Sequence, residues 1–136
     1  MRKRTRYVLD TSAFIAFFLN EKEAEDVEKI LLDSIKRDNS CIMSVVQYGE
    51  LLYTILNRES KRDHRWLSHL MEMYNISLVE ADKSSAEVAA SYKARGGISY
   101  SNCLVIALAK EKNATIVTKD KEFKKFEKDV SIKWIG

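Results

Sequence analysis

The chain has 136 residues, of which 46% are hydrophobic and 32% are charged, and its net charge is +3. This length allows one hydrophobic core, so we expect one domain covering residues 1–136. No apolar run is long enough to cross a bilayer, and the small net charge does not by itself indicate a nucleic-acid partner. The apolar segment after the basic amino terminus is interrupted at Asp10, and no cleavage site follows, so we expect a cytoplasmic protein. Cys41 and Cys103 have no partner motif and are expected to be buried free thiols.

Strand-like and helix-like segments alternate along the chain. Short apolar runs bounded by polar residues predict buried strands, and apolar residues spaced three and four apart predict helices. In chain order the sequence predicts a strand at 6–9, an apolar segment at 13–19, a helix at 23–36, a strand at 41–45, helices at 46–57 and 65–74, a strand at 76–79, helices at 84–94 and 101–112, a strand at 114–117, a short helix at 121–127 and a strand at 131–135.

This order of elements indicates an α/β protein. Strands that are separated by helices form a parallel sheet with helices on both faces. We therefore expect a three-layer α/β/α sandwich with a central, mostly parallel sheet of about five strands. In open sheets of this kind, ligands bind beyond the carboxyl ends of the strands.

Three carboxylates fall near that edge of the predicted sheet. Asp10 follows the first strand, and Asp120 lies shortly after the fourth. Glu50 is about one helical turn into the helix after the second strand, so it can reach the same edge. Parallel topology would bring the three side chains together although they are far apart in sequence.

An acidic cluster of this kind favours a divalent metal. Three neighbouring carboxylates repel one another, and a bound Mg²⁺ or Mn²⁺ compensates their charge because hard cations prefer oxygen ligands. Such a metal can activate a water and hold the phosphate oxygens of a nucleic acid, which indicates hydrolysis of phosphodiester bonds. Taken one at a time, each acid is more ordinarily a turn, cap or surface residue.

Three sequence motifs resemble those of the PIN-domain family. Residues 8–13 (VLDTSA) resemble its opening motif, an acid at the end of the first strand followed by Thr or Ser. Residues 45–51 (VVQYGEL) resemble the helix that carries the second acid, and residues 115–123 (TIVTKDKEF) resemble the strand and turn that supply a later one. The order and spacing of these motifs cover nearly the whole chain and are most similar to the small VapC-type toxins.

The resemblance implies an activity, a cofactor and partners. It implies an endoribonuclease that depends on Mg²⁺ (or Mn²⁺), forms a homodimer and is held inactive by a VapB-type antitoxin. It also implies a catalytic site formed by Asp10, Glu50, Asn102 and Asp120, with Asp10, Glu50 and Asp120 as the metal ligands.

Asn102 is a departure from the family pattern. Residues 98–104 (ISYSNCL) align with the third acidic motif, in which an Asp opens the buried helix, and the matching residue here is Asn102. An amide offers an oxygen but no charge, so a lower metal affinity is expected. The enzyme could work with three acids, be weakened or inactive, or carry a residue changed to disarm a toxic nuclease. We favour a site that keeps the family geometry with reduced activity.

Several other polar side chains could support the site. Ser12 and Thr118 would orient the carboxylates through their hydroxyls, although closing turns at strand ends is an equally good interpretation. Glu122 could supply the charge missing at Asn102, but an exposed glutamate at a helix start is the simpler expectation.

Two other functions compete with the nuclease. The first is a catalytically inactive PIN module that binds RNA or a protein partner, which Asn102 would explain. The second is a phosphatase that uses Asp10 as its nucleophile. Haloacid-dehalogenase-like phosphatases place a second Asp two residues after the first, and here Ser12 occupies that position, which argues against this chemistry.

Overall fold

A computed structural model describes residues 5–36, 40–58 and 61–136. The basic residues 1–4 lie outside the described part. Within these ranges there are five strands, β1 Arg6–Leu9, β2 Ser40–Ser44, β3 Ile76–Val79, β4 Thr115–Thr118 and β5 Ser131–Trp134. They form one sheet in the order β3-β2-β1-β4-β5, and each pair of neighbours is parallel.

The helices follow the predicted order. The apolar segment at 13–19 belongs to a helix that begins at Thr11, because the Asp10 side chain caps it by accepting a hydrogen bond from Ala13 N. Among the described residues none of the helices is long and apolar enough to cross a membrane. The helices are α1 Thr11–Phe18, α2 Ala24–Lys36, α3 Val45–Arg58, α4 His64–Met73, α5 Lys83–Ala94 and α6 Tyr100–Lys112, with a 3-10 helix at Lys121–Phe126.

The sheet separates two hydrophobic clusters. Side chains alternate between its faces, so that Val8 packs in the cluster with α5, α6 and the 3-10 helix, and Leu9 packs in the cluster with α1 to α4. The predicted three-layer α/β/α arrangement is therefore confirmed. Cys41 and Cys103 are buried free thiols, as predicted, one in each cluster.

The register of the two central strands positions the functional edge. Leu9 in β1 pairs with Val117 in β4, and the next backbone N–H, that of Asp10, donates to the Val117 carbonyl at 3.3 Å. Both strands therefore end at the same level. Asp10 then caps α1, and Asp120 caps the 3-10 helix. Two carboxylates are thus held at the carboxyl edge by the turns that end neighbouring strands.

Candidate active site

Asp10 lies at the centre of the candidate site and is buried, with 1% of its surface exposed. Its Oδ1 accepts hydrogen bonds from Ser12 Oγ at 2.8 Å and Ala13 N at 2.9 Å, and its Oδ2 accepts from Thr118 Oγ1 at 2.6 Å. Burial raises the pKa of Asp10 to about 6, and the nearby negative charge of Asp120 adds to this rise. The three hydrogen bonds oppose the rise but do not cancel it.

Thr118 links the two aspartates. Its hydroxyl donates to Asp10 and accepts from the backbone N–H of Asp120 at 2.9 Å. Ser12 Oγ lies 3.3 Å from the Thr118 hydroxyl and accepts from Lys119 N at 3.2 Å. Both hydroxyls therefore contact Asp10, and their role in orienting the carboxylates stays a prediction.

Asn102 contacts two acidic side chains. Its Nδ2 donates to Asp120 Oδ2 at 3.0 Å and to Glu122 Oε1 at 2.9 Å. Glu122 also accepts from Ser99 N at 2.9 Å and is half-buried. The expectation of an exposed Glu122 was wrong, because the carboxylate turns inward to the amide and to the start of α6. Ser99 caps α6.

Glu50 joins this network through Gln47. The Gln47 Nε2 atom donates to Ser101 Oγ at 2.6 Å and lies 3.3 Å from Glu50 Oε1 and 3.4 Å from Asn102 Oδ1. Ser101 Oγ in turn donates to Glu50 Oε1 at 2.6 Å. Glu50 is exposed at the outer end of the network, whereas Asp10 is buried at the other end.

Gln47 is a candidate site residue that the sequence analysis did not single out. It is 1% exposed, and its Oε1 accepts from both the backbone N–H and the hydroxyl of Thr11. One side chain therefore connects the first turn of α1 to α3 and α6. The available signal was a polar residue three positions before Glu50, since residues at this spacing share a helix face. Ser101 is another member of this network that the sequence analysis did not single out.

The chemistry of this site fits a hard cation. Asp10, Asp120 and Glu50 offer carboxylate oxygens, the donor atoms that Mg²⁺ and Mn²⁺ prefer. No cationic side chain contacts Asp10 within the described ranges, so its buried carboxylate is stabilised by three hydrogen bonds but by no opposite charge. In the same ranges no three acidic, His or Cys side chains converge closely enough to hold a metal as they stand. The ligand roles of the three acids therefore stay a prediction.

Three cations near the edge already have partners. Lys93 Nζ donates to the Ile98 carbonyl at 2.8 Å, and Arg95 pairs with Asp129 at 3.2 Å. Lys119 Nζ is 2.9 Å from a carboxylate oxygen of Glu21 and 3.3 Å from one of Glu23. These contacts give the three cations structural roles within the described residues.

The comparisons identify the family. The family model of the PIN domain matches residues 7–129, so the chain belongs to the PIN-domain family. It is 29% identical to "Ribonuclease VapC" of Mycolicibacterium smegmatis over 86% of this chain and 93% of that protein. It is 28% identical to "VapC ribonuclease Mb0640" of Mycobacterium bovis over 85% of this chain and 91% of that protein.

Solved structures share the fold. VapBC2 from Rickettsia felis, bound to a promoter DNA fragment, superposes with a TM-score of 0.72 at 16% identity, covering 97% of this chain and 100% of that one. FitAcB from Neisseria gonorrhoeae gives a TM-score of 0.65 at 24% identity, covering 93% and 95%. These likenesses confirm a PIN-like α/β/α fold.

Proposed function

We propose that this protein is an endoribonuclease of the VapC toxin type that depends on Mg²⁺ or Mn²⁺. The observation that carries the proposal is the pairing of buried Asp10 with Asp120 at the carboxyl edge of β1 and β4, linked through the Thr118 hydroxyl. The curated relatives of similar length are named as VapC ribonucleases, which supports the same activity. We also infer that residues 1–136 act as one domain, since one sheet contains both the first and the last described strand. We propose that this domain acts in the cytoplasm.

Each polar residue has a distinct part in this proposal. Asp10, Asp120 and Glu50 would hold the cation, and Ser12 and Thr118 would keep the two aspartates oriented. When bound, the cation would supply positive charge beside the scissile phosphate and activate a water for attack. Asn102 would act indirectly, because its amide neutralises part of the repulsion between Asp120 and Glu122 without adding charge.

The partners follow from the relatives. RNA is the proposed substrate, and a VapB-type antitoxin is the proposed inhibitor, since several of the matching structures are VapBC complexes. We further propose a homodimer. Part of the apolar segment at 14–19 is a candidate for its interface, because Phe17 and Phe18 are only partly buried against the core.

Asn102 favours a second candidate function. In this alternative the protein is a catalytically inactive PIN module that binds RNA or a protein, because the acidic motif at the start of α6 lacks its charge. The two functions differ in one respect that can be measured: only the first predicts metal-dependent cleavage by the native sequence.

Cleavage of total RNA tests the proposal. We expect cleavage with Mg²⁺ or Mn²⁺ that stops in chelator and in Asp10→Asn, which keeps the shape of the side chain but removes its charge. Glu111→Gln is a matched control because it removes one exposed carboxylate from the end of α6, away from the site. Full cleavage by Asp10→Asn or in chelator would overturn the metal-dependent nuclease, and an inert native protein would favour the binding module.

A further inference from the structure

A cavity lies near the carboxyl ends of β4 and β5. It has a volume of about 750 Å³ and lies where the 3-10 helix meets the end of β5. Lys119 and Lys121, the two chain neighbours of Asp120, both contribute to its wall, so the cavity and the acidic site are formed by the same short segment of the chain. We call it the lysine cavity. Its lining combines four lysines and an indole with two carboxylates: Lys22, Lys119, Lys121, Lys124, Trp134, Glu23 and Glu127, together with Ile135 and Gly136.

Two of the four lysines in the lysine cavity are already ion-paired. Glu21 and Glu23 bind the ammonium group of Lys119 and raise its pKa, and Lys22 lies 4.0 Å from a carboxylate oxygen of Glu23. Lys121 and Lys124 are exposed, and neither has an ion-pair partner within residues 5–36, 40–58 and 61–136. They are three residues apart in a 3-10 helix, which has three residues per turn, so both project from the same face.

Trp134 adds an aromatic surface to this cavity. It is 37% exposed, so part of the indole is open to solvent. Its Cα pairs in register with that of Thr118, and the following residue, Ile135, donates to the Thr118 carbonyl at 3.0 Å. Trp134 therefore lies on the strand next to that of Thr118, whose hydroxyl donates to Asp10, and neighbouring strands are about 4.8 Å apart.

From this arrangement we infer that the lysine cavity binds a nucleotide of single-stranded RNA next to the cleaved bond, with its base stacked on Trp134. The inference rests on the proposed nuclease function and specifies the form of its substrate. Phosphates of the strand would contact Lys121 and Lys124. Aromatic side chains beside basic ones are the usual means of binding unpaired nucleotides, because every base has a face that can stack. A duplex cannot use this site, since its bases are already stacked on one another.

Binding to an uncleaving protein tests the inference. The probe is a short single-stranded RNA of mixed sequence, titrated into Asp10→Asn and into the same variant carrying further changes. Adding Trp134→Ala should weaken binding roughly 5- to 150-fold without changing its salt dependence, and Trp134→Phe should retain most of the affinity. Adding Lys121→Ala and Lys124→Ala should weaken binding and reduce the slope of log affinity against log salt by about 1.4.

Matched controls separate site loss from charge loss and from misfolding. Lys83→Ala with Lys128→Ala removes the same charge from exposed positions outside the cavity and should weaken binding less, with circular dichroism confirming the fold of each variant.

Photocrosslinking tests the inference on a protein whose cavity residues are unchanged. With an RNA that carries 5-iodouridine, it should recover a peptide that contains Trp134. Crosslinking at Trp66 alone, equal binding of duplex and single strand, or no loss of affinity in either cavity variant would overturn the inference.

The outcome is separable from that of the proposed function. Cleavage by the native protein tests the nuclease, whereas affinity in the Asp10→Asn background tests the cavity. A protein that cleaves RNA but binds it equally with and without Trp134 retains the nuclease and loses the cavity site. A protein that binds single strands through Trp134 but never cleaves retains the cavity and loses the nuclease.

Discussion

The Nδ2 atom of Asn102 lies 3.0 Å from the Oδ2 atom of Asp120, as a hydrogen-bond donor to an acidic side chain. The same amide donates to Glu122, so one neutral residue holds two carboxylates at the start of α6. An aspartate in this position would donate no hydrogen bond and would add a third negative charge. The substitution therefore stabilises the acidic cluster when no cation is present and weakens its attraction for one.

Asn102→Asp should lower the stability of the metal-free protein and raise its affinity for metal. Without metal, the variant should unfold more readily by about 1–3 kcal/mol, because two charge-assisted hydrogen bonds are lost and repulsion replaces them. With Mn²⁺ it should bind the ion more tightly and cleave RNA faster than the native protein. Calorimetry with and without metal measures the first effect and ion titration the second. Equal Mn²⁺ affinity in the two proteins would show that residue 102 does not influence the cation.

The stability of the metal-free protein should fall as the pH rises from about 4 to about 6. The pKa of Asp10 is raised from 3.8 to about 6 in the folded state, so over this interval the folded protein keeps a proton that the unfolded chain has released. The contribution of protonated Asp10 to the free energy of unfolding is complete below the pKa of the unfolded state and is lost above the pKa of the folded state. The change is about 3 kcal/mol. Denaturant unfolding in chelator, measured from about pH 4 to about pH 6, should show this loss of stability in addition to the effects of other titrating groups.

Asp10→Asn should remove that component of the pH dependence and make the metal-free protein more stable at pH 7. The neutral amide avoids burying a charge. Its N–H group can donate to the Thr118 hydroxyl, which in the native protein is the donor to Asp10. Asp82→Asn is the matched control, because Asp82 caps α5 at an exposed position where asparagine caps about equally well. A metal-free Asp10→Asn protein that is less stable than the native one at pH 7 would contradict the raised pKa.

Gln47→Leu should damage the site through positioning. The change leaves the Thr11 N–H without its acceptor and frees Glu50 and Ser101 from a shared donor, at a cost of about 1–3 kcal/mol in the free energy of unfolding. Cleavage should fall, and affinity for Mn²⁺ should fall with it. A purely structural role would lower the unfolding temperature and leave the ion affinity unchanged. Thr54→Ala, which removes an exposed hydroxyl from the same helix, should change neither quantity greatly.

The sequence predicted the fold well because its signals are local. Alternating apolar and amphipathic segments define the strands and helices, and parallel topology then brings Asp10 and Asp120 to one edge. The side-chain network was harder to predict from the sequence. The role of Gln47 depends on three elements that meet only in the folded protein, and Glu122 was misplaced because its partner, the Asn102 amide, faces it across a helix start. Neither contact leaves a periodic pattern in the chain.

The most direct test of the central claim is to locate Mn²⁺ by anomalous scattering in crystals of the native protein. We predict a peak between the carboxylates of Asp10 and Asp120, within coordination distance of both, that is absent from Asp10→Asn crystals. RNA cleavage that persists while crystals soaked in Mn²⁺ show the ion elsewhere, or not at all, would contradict the account.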